Sequence, residues 1–125
     1  RHPISTTKIL ARVVHDALSS SRRPKAEVDA GVRRTFQALR IAVNDEFNAL
    51  EALLRHLPAC LKPGGRVAIL TFHSGEDRRV KKSFQAGGRD GLYSTLAREV
   101  IRAGPEEIRS NPRASSAKLR WAIRA

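Results

Sequence analysis

The chain has one cysteine, one tryptophan, one tyrosine and no methionine among its 125 residues. A single cysteine, Cys60, excludes an internal disulfide and offers no metal-ligand spacing, so no metal site is expected. Leu57 and Leu61 lie beside it, which predicts a buried, inert thiol. Without methionine the initiator is missing, and the chain is expected to have been processed or excised from something longer. No apolar run approaches the ~18 residues of a membrane span, and the first residues lack the apolar centre of a secretory signal. No membrane partner is expected, and the setting is expected to be cytoplasmic, or an organelle in a eukaryotic host. Acids are scarce too: 12 Asp and Glu stand against 24 Lys and Arg, a net charge of +12. An excess of that size favours a polyanion partner, with structured RNA ahead of an anionic membrane. The length fits one domain able to bury roughly two-thirds of its unfolded surface.

The densest stretch runs from Gly64 to Arg78. It reads as a tight glycine turn, a strand over 66–72 apolar on both faces, and polar groups at the strand's carboxyl end, where open α/β sheets place ligands. The polar groups also spell a helix start. Ser74 is expected to cap the amide of Asp77 while Asp77 reaches back, a Ser-x-x-Asp capping box. Val80 and Phe84 then anchor a basic helix expected to end at Gly87-Gly88.

Upstream, Ser5, Thr6 or Thr7 can cap a first helix whose apolar face carries Ile9, Leu10, Val13, Val14, Ala17 and Leu18. A polar loop follows over 19–25, and Gly31 closes the uncertain stretch after it. Phe36, Leu39, Val43, Phe47, Leu50, Leu54 and Leu57 predict one continuous helix with a single apolar stripe, ended by Pro58 and by Pro63-Gly64. Arg33, Arg34, Gln37, Arg40 and Asn44 fall on its polar side, a surface suited to donating hydrogen bonds to nucleic acid. Downstream, 91–97 is ambiguous and 98–103 reads as a strand. A helical turn follows from Gly104-Pro105, broken at Asn111-Pro112. The final segment alternates cleanly: Leu119, Trp121 and Ile123 share one face, and Lys118, Arg120 and Arg124 the other, as in a half-buried strand.

Three blocks carry a resemblance: Arg34 to Asn44 (RTFQALRIAVN), Phe72 to Arg78 (FHSGEDR) and Asn111 to Arg120 (NPRASSAKLR). In this order and spacing they resemble the bacterial methyltransferases that use S-adenosylmethionine to methylate N4 of a decoding-site cytidine in small-subunit rRNA. Departures exist. Gly75 stands where that family usually has Leu, Ser115 where it has a basic or polar residue, and Asp29-Ala30-Gly31-Val32 where it has His-Pro-Ala. The family's glycine-rich cofactor loop, acidic ribose-binding residue and central Asp motif belong to an amino-terminal half with no counterpart here.

The resemblance implies an α/β fold, the carboxyl-terminal part of a Rossmann-like class I methyltransferase sheet. Residues 66–72, 118–124 and 98–103 would be its strands 5, 7 and 6, with flanking helices from a helical insert. Residues 1–32 would end that substrate-recognition insert, and 33–125 would form the carboxyl-terminal half of the methyltransferase domain. Strand 66–72 would show a bare apolar edge, covered by the missing half or by a second copy. His73, Ser74, Glu76 and Asp77 would line the pocket, with His73 the candidate for nucleotide contact and Asp77 a cap before a base. Arg34, Gln37, Arg40, Asn44, Arg78, Arg113, Ser116 and Lys118 would meet small-subunit rRNA, with Arg34, Arg40, Arg113 and Lys118 at phosphates. S-adenosylmethionine would bind mainly to the absent loop, leaving this chain inactive alone. The alternative is a non-catalytic, ribosome-associated RNA-binding module descended from the same family.

Overall fold

The structure, a computed structural model, describes residues 3–125. It forms two compact units, one ending at Glu46 and the other spanning Phe47–Ala125. Among the described residues no helix is long and apolar enough to cross a membrane.

The first unit is a helical pair, α1 (Thr7–Ser19) and α2 (Lys25–Asn44). The Thr6 hydroxyl accepts the Ile9 amide at 3.2 Å, which makes Thr6 the N-cap among the candidates Ser5, Thr6 and Thr7. Gly31 does not close a loop but lies inside α2, where an added Cβ would run into Leu18 of α1. Its missing side chain lets the two helices approach. The predicted single long helix is in fact two. Asp45 adopts a left-handed φ of 52° and ψ of 38°, ending α2, and α3 (Glu46–Cys60) begins at the next residue. Asp is one of the few residues that takes this conformation at modest cost. The expected stripe breaks with the helix: Leu39 and Val43 on α2 are exposed, Val43 to 82%, while Leu50, Leu54 and Leu57 on α3 join a core.

In the second unit α3 runs past Pro58, which lies inside it rather than ending it. Cys60 closes α3 and is exposed, not buried, because it falls off the face that carries Leu54 and Leu57. The chain reverses at Pro63-Gly64, with Gly64 at φ 76° and the Gly65 amide bonded to the Lys62 carbonyl at 2.8 Å. That is the glycine turn expected ahead of β1 (Arg66–Thr71). There follow α4 (Ser74–Arg89), β2 (Tyr93–Leu96), α5 (Pro105–Ser110), a 3-10 turn over Pro112–Ser116, and β3 (Lys118–Arg124).

Helix α4 passes straight through Gly87 and Gly88, which were expected to end it. A Cβ on Gly87 would sit 2.6 Å from the Tyr93 ring, and one on Gly88 2.9 Å from Leu96. These glycines are therefore packing residues that let β2 close on the helix. The reversal comes later, at Asp90 and at Gly91 with φ 74°.

The strands form an antiparallel sheet in the order β1-β3-β2, with Val67 opposite Ala122 and Ile69 opposite Arg120. The third strand is Tyr93–Leu96; the predicted strand over 98–103 reduces to one bridge between Ile101 and Leu119. β1 lies at the sheet edge, so one side of its backbone has no strand partner within the sheet. Leu54, Val80, Phe84, Tyr93 and Ala122 make the core, with Val67 and Ile69 packed against it.

β3 alternates as predicted but faces the other way. Ala122 enters the core fully buried, and Arg120 on the same face pairs with α4. Leu119, Trp121 and Ile123 are outside the core cluster. Trp121 and Ile123 instead line an open depression of about 480 Å³ with Arg66, Val67 and Ala68. Small Ala122 lets the helices settle on this face, and the arginine stems fill the margins.

The Tyr93 ring packs edge-on against Phe84, centroids 5.4 Å apart. Its hydroxyl is buried without a hydrogen-bond partner, and burial raises its pKa above 10.0 against the pull of Arg124. Removing an orphaned donor should not weaken the fold. Tyr93→Phe is therefore expected to leave stability unchanged or raise it by about 1 kcal/mol in urea unfolding. A loss beyond about 1 kcal/mol would mean that the hydroxyl has a partner.

Candidate functional site

The carboxyl end of β1 leads through Phe72 and His73 into α4. The cap differs from the predicted Ser74–Asp77 box by one residue. His73 is the N-cap, its Nδ1 accepting the Glu76 amide at 3.4 Å, and Glu76 Oε2 reaches back to accept the Phe72 amide at 3.2 Å. The reciprocal logic of a capping box survives with His-x-x-Glu in the two roles. An accepting Nδ1 places the ring hydrogen on Nε2. Nε2 lies 3.3 Å from Glu76 Oε1 but off the line of a good hydrogen bond, and is buried without another partner. Ser74 is exposed and makes no cap.

Asp77, freed from capping, is the centre of a different arrangement. Its carboxylate accepts Arg120 Nε at 2.7 Å and Nη2 at 3.2 Å, a fork across from α4 to β3. Lys118 Nζ stands 3.8 Å away. All three side chains are at most one-fifth exposed. The Arg120 hydrogen bonds hold the Asp77 pKa below 3.8 despite burial, which pushes it up, and the charges of Arg120, Lys118 and Lys81 add to the lowering. Asp77 is thus held as an anion that clamps α4 to β3. Lys118, expected at a phosphate, shares that one carboxylate with Arg120, so the cluster keeps a net positive charge.

A second brace steadies the loop. The Arg79 guanidinium lies 3.6 Å over the Phe47 ring, donates to Glu51 at 2.9 Å and to the Gly75 carbonyl at 3.1 Å. Phe47 meets the His73 ring edge-on at 5.8 Å. A Cβ at Gly75 would fall 2.8 Å from the Phe47 ring, which accounts for glycine at that position here. Sequence reasoning missed Phe47, Arg79 and Arg120 as site-forming residues. The signal for Arg120 was present: a cation on the same strand face as Lys118, with an acid in the first turn of the facing helix.

Of the other expected contacts, Arg78, Arg113 and Ser116 are exposed. Ser116 bonds only to the carbonyl of Arg113, within the 3-10 turn. In the first unit Arg34 is exposed and Gln37 half-buried. Arg40 forks onto Glu46 at 2.9 and 3.3 Å, and Asn44 donates to the same carboxylate at 3.2 Å. The structure therefore gathers His73, Glu76, Asp77 and Lys118 around one strand end, and leaves Arg34, Arg78 and Arg113 free for a partner.

The donor set for S-adenosylmethionine does not fit these residues. The direct turn from strand to helix is β1 to α4, and there the Phe72 and Glu76 amides are taken up by Glu76 and His73. Acids at Glu76 and Asp77, with no glycine-rich cradle, fill the rest of that turn.

The sequence profile of the MraW methylase family matches residues 1–125. The Ribosomal RNA small subunit methyltransferase H 2 of Alkaliphilus metalliredigens is 55% identical over 124 residues, covering 98% of this chain and 36% of that protein. The corresponding methyltransferase H 1 of Lachnoclostridium phytofermentans is 50% identical over 124 residues, 98% of this chain and 34% of that protein. That of Halothermothrix orenii is 42% identical over 137 residues, 98% and 43% respectively. The chain thus spans well under half the length of these relatives.

Proposed function

The chain belongs to the MraW methylase family, and from that footing we propose that it is the carboxyl-terminal portion of an S-adenosylmethionine-dependent methyltransferase acting on N4 of a cytidine in small-subunit rRNA. The observation that carries the reading is the Asp77 clamp. It ties the Phe72–Arg78 block to the Asn111–Arg120 block at one end of β1, the end at which α/β sheets place their chemistry. The names of the relatives support an rRNA substrate. The division into insert up to residue 32 and methyltransferase half from 33 falls inside α2 on this reading.

In this role β1, β3 and β2 are strands 5, 7 and 6 of a larger class I sheet, and the free edge of β1 receives the upstream half. The cofactor is held by that half. This chain's residues shape the substrate side. His73 stands beside the strand end, its ring fixed by its cap and by Phe47. Arg34, Arg78 and Arg113 meet phosphates, which gives affinity without sequence choice. Unstacking the base and aligning its amine is the remaining task, and a rigid loop serves it.

The test joins this chain to the upstream portion of its relatives and follows labelled methyl transfer to unmodified small subunits. Transfer is expected from the joined protein and from neither part alone, with His73→Ala lowering it at least tenfold (about 1.4 kcal/mol). RNA binding with no transfer by the joined protein would favour the non-catalytic module.

A further inference from the structure

We propose that the outward face of α4 is an RNA-backbone track that starts at Arg78 and carries on past the strand-end site. Arg78, Lys81, Lys82, Gln85 and Arg89 are all exposed. At 3.6 residues per turn they fall within an arc of about 100°. Val80, Phe84 and Gly87, buried in the core, occupy the opposite side. The stripe runs about 16 Å from Arg78 to Arg89, long enough to follow several phosphates.

A solvated helix face normally interleaves acids with its cations at i,i+4. This one does not. The acids of α4, Glu76 and Asp77, are both in the first turn and turned inward, one onto the Phe72 amide and the other onto Arg120. Among the described residues none of the four cations forms an ion pair, whereas Arg79 on the flank is matched to Glu51. Arg78 also stands i,i+3 and i,i+4 to Lys81 and Lys82, spacings at which like charges repel. A neighbouring polyanion relieves that repulsion. An anionic membrane fits less well, since an interfacial helix needs its apolar face free, and that of α4 is spent on the core.

The inference rests on an RNA substrate, as proposed above, and extends the phosphate contact of Arg78 to Lys81, Lys82, Gln85 and Arg89, which that reading does not use. Its test uses the complete protein and an unmodified small-subunit rRNA transcript, with affinity measured from low to moderate salt. Three charges removed by K81Q/K82Q/R89Q should flatten the slope of log affinity against log salt by about 2–3 and weaken binding at 0.1 M salt about a hundredfold. K62Q/R98Q/R109Q, which removes the same net charge from exposed sites elsewhere, should weaken it by under about tenfold. Equal losses in both variants, an unchanged slope, or a loss seen only with phosphatidylserine vesicles would overturn the track. Methyl transfer at saturating RNA is followed in parallel. Transfer with an unchanged slope fails this inference alone; a flattened slope without transfer fails the catalytic reading alone.

Discussion

Asp77→Asn is expected to destabilise the protein by about 3 kcal/mol in denaturant unfolding, a larger effect than loss of an exposed ion pair would give. The asparagine keeps an oxygen for Arg120 but turns an amide donor toward the second guanidinium nitrogen. It also leaves Arg120 and Lys118, 13% and 20% exposed, without a counter-ion. Much of the cost is that unanswered charge, so adding Arg120→Met should recover part of it. The pH dependence has a definite sign. The native Asp77 pKa lies below its ordinary value of 3.8, so the unfolded chain takes up the proton first as pH falls. The stabilisation is complete above the unfolded pKa, near 4, and is lost as pH drops through the native one. The gap between wild type and Asp77→Asn should be flat at neutral pH and close below about pH 4. A difference under about 1 kcal/mol at pH 7 would reduce the clamp to a surface pair.

Phe84→Ala is expected to cost about 3–5 kcal/mol, with little change in the denaturant slope. Phe84 is 3% exposed and lies within the cluster of Leu54, Val80, Tyr93 and Ala122. Truncation removes its buried area and the edge-on contact with Tyr93. The void cannot close easily, because Tyr93 is already held against Gly87 and Ala122 is anchored by strand pairing on both sides. Phe84→Leu keeps most of the volume and should lose under about 1.5 kcal/mol. Equal losses for the two variants would mean that ring shape, not volume, governs the site.

Local chemistry made much of this fold legible. Thr6 as a cap, the Pro63-Gly64 reversal, the strands at 66–71 and 118–124, and the Pro105 helix start follow from short-range preferences that tertiary packing did not oppose. The misreadings occur where packing decided. Gly87 and Gly88 resemble a helix stop until Tyr93 and Leu96 are seen to need the space. Asp45 breaks a helix whose apolar periodicity continues through it, because periodicity carries no information about one left-handed residue. The helix cap moved one residue upstream because Arg120, 43 positions away along the chain, claims Asp77. β3 shows the limit most plainly: alternation separates two faces but does not say which one the helices will choose. At the site, residue types were legible and partners were not: nothing in the spacing showed that Arg120 would fork onto Asp77 with Lys118 beside it.

The orientation of β3 has a practical consequence. Trp121, the chain's single indole, sits on the sheet face turned away from α4 and lines the depression beside Ala68. Its emission therefore samples water on that side and will shift to shorter wavelength when another polypeptide settles over it. The strand supplies a built-in optical reporter for any polypeptide that covers this face, with no label attached.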